Sequence, residues 1–393
     1  MKAGSNRAIW LDYLRAFVTL LVVAHHAAMA YPTYGYFNPA QYILSTAPVV
    51  DQARWLGMDV FIGFNDLFFM PLMFLISGLF VYRGLERKGT QAYLADRAIR
   101  LGIPFLIAEC VLIPLAYVPS YYLATHSFTL EQFISDYIVH QQWPVGPPWF
   151  IWLLLVFDGL AVLIYRISPT IYPVMGQWFL RQASSPIRFG IILFGLVALS
   201  LIPLSLWVGQ YTWIGRWGPF DFQLNRLLFY LLFFLLGSCL GATSWEPFFF
   251  YFGKLFGKNW LFWVGLSIGC YVFFLAVSDF GTAQVRQGNL TETQGFFFYD
   301  LAFVGSCLAS IGACLSIFKQ IFTRPVRFWT SVSANAYTIY MVHYGFVTWL
   351  QFALLWVNVP AFAKFIFVCM GAASLSWLCS NLLRRNSYIA QLL

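Results

Sequence analysis

Between Trp10 and Tyr31 the chain reads WLDYLRAFVTLLVVAHHAAMAY, an apolar stretch that nevertheless carries Asp12, Arg15, His25 and His26. Ionisable groups buried in a bilayer cost from a few to more than about ten kcal/mol, so they mark candidate functional positions. At roughly 100° per residue, Arg15 and His26 fall within about 20° of each other on a helix, and Asp12 lies about 40° to the other side of His26. These three residues form one polar stripe, with His25 beside it, about 80° off Arg15. A rise of about 1.5 Å per residue separates Arg15 from His26 by roughly 16 Å, about half a hydrocarbon core. One helix face thus joins a cation near one surface to a deeper imidazole, the side chain that exchanges protons near neutral pH. Two plainer readings compete. Lys2 and Arg7, the apolar run from Phe17 to Ala24 and Ala28-Met29-Ala30 have the order of a signal peptide, and polar groups can also simply tie helices together.

A second cluster lies in YRGLERKGTQAYLADRAIRLGIPF. Arg97 and Arg100, three residues apart, share one helix face, and a guanidinium pair suits phosphate groups. Arg87 and Lys88 nearby fit ordinary basic flanking of a membrane span. Further on, His343 has Tyr337, Tyr340 and Tyr344 at helical neighbour spacings, which suits either a structural hydrogen bond or substrate positioning. Glu109 is a candidate acceptor-site or proton-path residue. Nine positions separate it from Arg100, which places it on the opposite face unless Pro104 bends the helix. Arg226 and Asp300 are expected near the outer surface, where they could pair with each other or else contact lipid or acceptor, and Lys364 is expected to snorkel to that interface.

The elements that position these residues follow from composition. Hydrophobic residues make up 60% of the chain, charged residues 10% and aromatics 20%, the profile of a polytopic helical membrane protein. The net charge of +8 does not imply nucleic-acid binding, because the cations sit mostly between spans. Ten spans are expected, near 9–30, 60–82, 101–122, 149–166, 187–208, 223–242, 258–278, 297–318, 333–356 and 360–383. With the N-terminus inside, seventeen Lys and Arg lie in cytoplasmic segments, Lys2, Arg7, Lys254 and Lys258 among them, against Arg54, Arg216 and Arg286 outside. That bias places both termini in the cytoplasm, and Trp149, Trp245 and their like crowd the span ends as interfacial belts do. The segment Asn38 to Gly57 is too polar to span and is expected to form an interfacial helix on the outer face. Residues 1–393 read as a single membrane domain without an internal repeat. The seven cysteines have no ligand-like spacing, so no metal site is expected.

These motifs, taken together, resemble the integral-membrane acyltransferases known as acyltransferase family three. The family's opening Asp-x-x-Arg and Arg-ten-His elements are matched by Asp12, Arg15 and His26. Its small-residue element is matched by FLISG at Phe74–Gly78, its Arg-x-x-Arg with a following Pro by Arg97, Arg100 and Pro104, and its fourth-span start by Pro148-Trp149-Phe150. Its late Ser-x-x-x-Tyr-x-x-Tyr-x-x-His pattern is matched by Ser333, Tyr337, Tyr340 and His343. The order covers essentially all ten spans, and no appended soluble domain is expected after the tenth. The resemblance implies a multi-pass enzyme of the bacterial inner membrane that transfers an acyl group, acetyl or succinyl, from cytoplasmic acyl-coenzyme A to a hydroxyl of a glycan or other acceptor, as in polysaccharide O-acetylation. It implies donor binding by Arg97, Arg100, Arg15 and Trp149. His26 then acts as general base or acyl carrier, with His25 as its competitor for that role, and Asp12 orients Arg15. Acceptor contacts fall to His343, Tyr340 and Glu109. Membrane lipid is the expected surrounding partner, and monomer or homodimer is left open. The rival reading is a transporter or flippase that makes no bond.

Overall fold

A computed structural model of the protein describes residues 9–214, 218–243 and 260–386. Lys2, Arg7, Arg216, Trp245, Lys254 and Lys258 lie outside the described residues, as does the first part of the expected seventh span. The described residues form helices and connecting loops, with one isolated β-bridge between Trp213 and Gln223.

In chain order the principal helices are α1 (Ile9–Ala28), α2 (Leu56–Gly78), α3 (Val81–Lys88), α4 (Thr90–Thr125), α5 (Trp149–Ile167) and α6 (Ile171–Ala183). They continue as α7 (Pro186–Val208), α8 (Leu227–Gly241), α9 (Trp260–Arg286), α10 (Glu292–Ile321), α11 (Arg327–Leu354) and α12 (Ala361–Leu383). Among the described residues, eight helical segments are long and apolar enough to cross a membrane, by length and composition. The chain is therefore a multi-pass helical membrane protein.

Neither α1 nor α11 is among those eight, because each carries polar residues. Several of those residues are turned inward. Thr19 and His25 of α1 and Asn335, Thr338, His343, Thr348 and Gln351 of α11 are all buried. The two helices pack against each other, and α1 also meets α2, α10 and α12. Polar side chains in a membrane bundle are cheapest where other helices meet their hydrogen bonds. Gln351 illustrates this, its amide donating to the carbonyls of His26 (3.0 Å) and Ala27 (3.2 Å).

The FLISG segment closes on α8 through glycine. A Cβ on Gly78 would lie 2.1 Å from the Phe234 carbonyl oxygen, and one on Gly237 would lie 2.2 Å from the Leu75 carbonyl oxygen. Gly237 and Gly241 are four apart, the small-xxx-small spacing that lets two membrane helices touch backbone to backbone. Gly237→Leu is expected to destabilise the bundle by about 1–3 kcal/mol or more, because backbone cannot yield as a side chain can. Denaturant unfolding of the purified protein measures this, and a wild-type midpoint would contradict the close-packing role.

α4 departs from a regular helix. Residues Ala98–Gly102 and Ala108–Leu112 form π turns on either side of Pro104. Proline removes a donor and crowds the carbonyl four residues earlier, which favours such widening. Arg100 is exposed and Glu109 buried, so the two do face apart. The helix α6 lies between the expected spans 149–166 and 187–208. It buries Tyr172, Gly176 and Phe179, and packs against α8.

Three expectations are corrected. Asn38 to Gly57 is not an interfacial helix. Its only helical turn before α2 is the short 3₁₀ turn Tyr42–Leu44, and the rest is irregular chain folded onto the bundle. Lys364 does not snorkel; it is 2% exposed and ion-paired to Asp51 at 2.6 Å. Arg226 pairs with Asp66 at 2.7 Å rather than with Asp300, which accepts from Gln210 at 2.7 Å. In both ion pairs a carboxylate that local spacing did not point to lies closer than the surface or the partner expected.

Candidate active site

A cavity of about 820 Å³ opens between α1, α2, α5, α8 and α11 and the loops at one end of the bundle. His25 and His26, in the last turn of α1, both face it. The His26 ring lies 5.3 Å from that of His343 and 5.0 Å from Tyr344, both on α11. His25 turns instead to α2, stacking on Phe69 at 5.0 Å, and the two adjacent imidazoles stand perpendicular, 5.6 Å apart. The helical phase that separated them in sequence thus sends them to different neighbours along a single cavity wall.

His343 is fully buried behind that wall. Its Nδ1 lies 2.6 Å from the carbonyl oxygen of Tyr340. A carbonyl only accepts, so Nδ1 carries the proton and Nε2 is left with a bare lone pair. No protein donor meets Nε2 among the described residues. Tyr340 lines the cavity and donates its hydroxyl to the Pro147 carbonyl, tying α11 to the turn before α5. That turn is conformationally costly. Gln142 and Trp143 both have positive φ (58° and 53°), a region few non-glycine residues occupy. Gln142 lines the cavity, and such outliers concentrate at functional sites.

The wall also holds residues that sequence reasoning missed. Asp66 lines the cavity while its carboxylate is held by Arg226. A charge inside the apolar run GFNDLFFM was the signal available, by the same rule that singled out α1. Trp213, Tyr230, Asp221 and Gln223 line the cavity too, beside Trp149, the one expected donor contact of the four that reaches it. Trp149 lies 6.0 Å from Trp213 and 5.5 Å from Tyr230 by ring centroids. Trp213, Asp221 and Gln223 come from a loop connection, where hydropathy and helical spacing carry no signal.

Loops at this end of the bundle are tied to one another. Tyr42 donates to Asp136 at 2.8 Å, the Ile43 amide donates to Gln141 at 3.2 Å, and Ser120 donates to the Pro48 carbonyl at 2.7 Å. Burial and the bond to Asp136 push the Tyr42 phenol far up, so this tie persists at any physiological pH.

The remaining sequence-derived residues lie elsewhere. Asp12 and Arg15 sit 3.6 Å apart, three residues along α1, but neither lines the cavity, and nor do Arg97 and Arg100. The Arg97 Nε lies 3.1 Å from the buried Asp158 and donates to the Tyr93 hydroxyl at 3.1 Å. Arg100 pairs with Asp96 at 3.2 Å. Tyr337 reaches this region, donating to the Arg100 carbonyl at 2.8 Å, so α11 runs from the basic end to the histidines. Glu109 is buried, and both its carboxyl oxygens lack hydrogen-bond partners among the described residues. The Trp143 indole donates to its backbone carbonyl at 3.3 Å, next to the strained turn.

A family described as "Acyltransferase domain" matches residues 8–381. The chain belongs to acyltransferase family three. The match runs from α1 into the last turn of α12. Among its relatives are the proteins called glucans biosynthesis protein C of Salmonella typhimurium and of Salmonella typhi, each 29% identical over 247 residues. The matched stretch is 59% of this chain and 58% of each relative, so the alignment spans little more than half of the family-three relatives it matches. No solved structure matches the chain.

Proposed function

We propose that this family-three protein is a bacterial inner-membrane enzyme that moves an acyl group, acetyl or succinyl, from acyl-coenzyme A to a hydroxyl of a carbohydrate-like acceptor. In this reading α1 and α11 also cross the membrane, giving ten spans with both termini cytoplasmic. The observation that carries it is the cavity wall, where two imidazoles stand among aromatic faces and hydrogen-bonding side chains at the end away from Arg97 and Arg100. Aromatic rings with carboxylates and amides beside them suit a sugar, whose faces are apolar and whose edges are hydroxyls. The relatives' name, glucans biosynthesis protein C, agrees with such an acceptor.

The donor's phosphates would meet Arg97 and Arg100 on the cytoplasmic side. Asp158 and Tyr93 hold the Nε edge of Arg97, which leaves its terminal nitrogens for an anion. The pantetheine arm would follow α1 and α11 past Arg15 to the histidines. Neutral His26 then takes the acceptor's hydroxyl proton, and the oxygen attacks the thioester carbonyl. The C–S bond breaks, the imidazolium returns its proton to the leaving thiolate, and free coenzyme A departs. His343, with its bare Nε2, and Tyr344 flank His26 and position the acceptor.

The test uses the purified full-length protein. Coenzyme A at about a hundred times its Kd is expected to stabilise the fold by about 2.7 kcal/mol, and Arg97→Ala with Arg100→Ala to remove that gain. In liposomes, acyl-coenzyme A and a neutral oligosaccharide are expected to yield an ester detectable by mass spectrometry. If no ester forms and unmodified oligosaccharide crosses the bilayer, the protein is a transporter and the proposal is wrong.

A further inference from the structure

The end of the bundle opposite the cavity holds a second groove, of about 660 Å³, between the start of α11 and the end of α12. Arg327, the first residue of α11, and Arg384, just past the last residue of α12, both line it. Thr330, Ser331, Asn335 and Asn381 complete its polar surface, and no carboxylate lines it among the described residues. Neither arginine is in an ion pair among the described residues. Arg97 and Arg100, by contrast, each already face a carboxylate.

The floor of the groove is held by its own bonds. The Tyr13 hydroxyl of α1 contacts Thr330 Oγ1 at 2.6 Å and accepts from the Val326 amide at 2.9 Å. Asn335 donates to the Ser331 carbonyl at 2.8 Å and accepts from Ser380 at 2.7 Å. Arg384 donates to the Ala334 carbonyl, which lays its side chain along the groove. Ser331 Oγ accepts from the Trp377 indole at 3.0 Å, so its own proton is available to an anion. The first turn of α11 adds the partial positive charge of a helix N-terminus.

We propose that this groove is a phosphate-binding site. Two guanidinium groups that meet no carboxylate among the described residues, a hydroxyl proton and a rigid floor fit a phosphate mono- or diester, bidentately at arginine. The phosphate can come from the nucleotide part of coenzyme A or from the headgroup of an anionic phospholipid. Both present the same oxygens at this face. The site is argued from its own residues and does not depend on the transfer chemistry at His26.

The experiment compares the wild-type protein with Arg327→Gln combined with Arg384→Gln. One arm titrates coenzyme A, and the other counts phosphatidylglycerol retained in native mass spectrometry against phosphatidylethanolamine. Arg324→Gln, outside the groove lining, controls for loss of charge alone. At least a tenfold weakening is expected in one arm. A loss confined to coenzyme A assigns the nucleotide, and a loss confined to phosphatidylglycerol assigns the headgroup. Unchanged binding in both arms overturns the site. Asn381→Asp, which keeps both arginines and adds a repelling carboxylate, covers the case in which the double variant does not fold. It is expected to weaken the same arm at least threefold, and no change there also overturns the site. Both arms read binding alone, so they test the groove whether or not acyl transfer occurs at His26.

Discussion

Replacing His26 by alanine is expected to lower the rate of acyl transfer by about 10²- to 10⁴-fold, the range that a positioned general base contributes. Coenzyme A binding and the yield of folded membrane protein should be retained, because the ring's neighbours are rings rather than obligate hydrogen-bond partners. The anchor at this point of α1 is the backbone, through Gln351 to the His26 and Ala27 carbonyls, and alanine keeps it. His25→Ala is the necessary comparison. His25 packs on Phe69, away from His343 and Tyr344, so its loss should cost far less rate. Rapid-quench measurement of one turnover, with both variants at saturating donor, separates the chemical step from binding. Equal losses in the two variants would assign the base to the pair, and an unimpaired His26→Ala would move it to another group on the cavity wall.

Lys364→Met is expected to cost about 3–5 kcal/mol of stability, the penalty for leaving one member of a buried ion pair uncompensated. The Lys364 Nζ sits 2.6 Å from Asp51, with both side chains at most 3% exposed. The other Asp51 oxygen accepts from the Ala53 amide at 2.8 Å, so the carboxylate also fixes the chain that leads into α2. Asp51→Asn with Lys364→Met removes both charges, and most of the lost stability should return. Denaturant unfolding of the single and double variants in one detergent gives the comparison. Should the double variant be as unstable as the single, the penalty lies in packing around the lysine stem rather than in the stranded charge.

The sequence by itself determined the membrane class, the helical architecture and the residues on which the family assignment stands. Long apolar runs leave a bilayer-spanning chain little choice but helix, since each backbone group must then be satisfied within its own segment. Local spacing likewise brought Asp12 within reach of Arg15 and put His25 and His26 at the end of one helix. Tertiary structure decided which distant groups meet. Asp66 and Arg226 are 160 residues apart, and Asp51 and Lys364 are 313 apart. A buried charge takes whichever partner helix packing delivers, which no periodicity records. Whereas the π turns of α4 follow from Pro104 in the sequence, the positive φ of Gln142 and Trp143 is also a product of packing. So is the loop that presents Trp213, Asp221 and Gln223 to the cavity, because a loop's course follows from the surfaces it must cover rather than from its own composition.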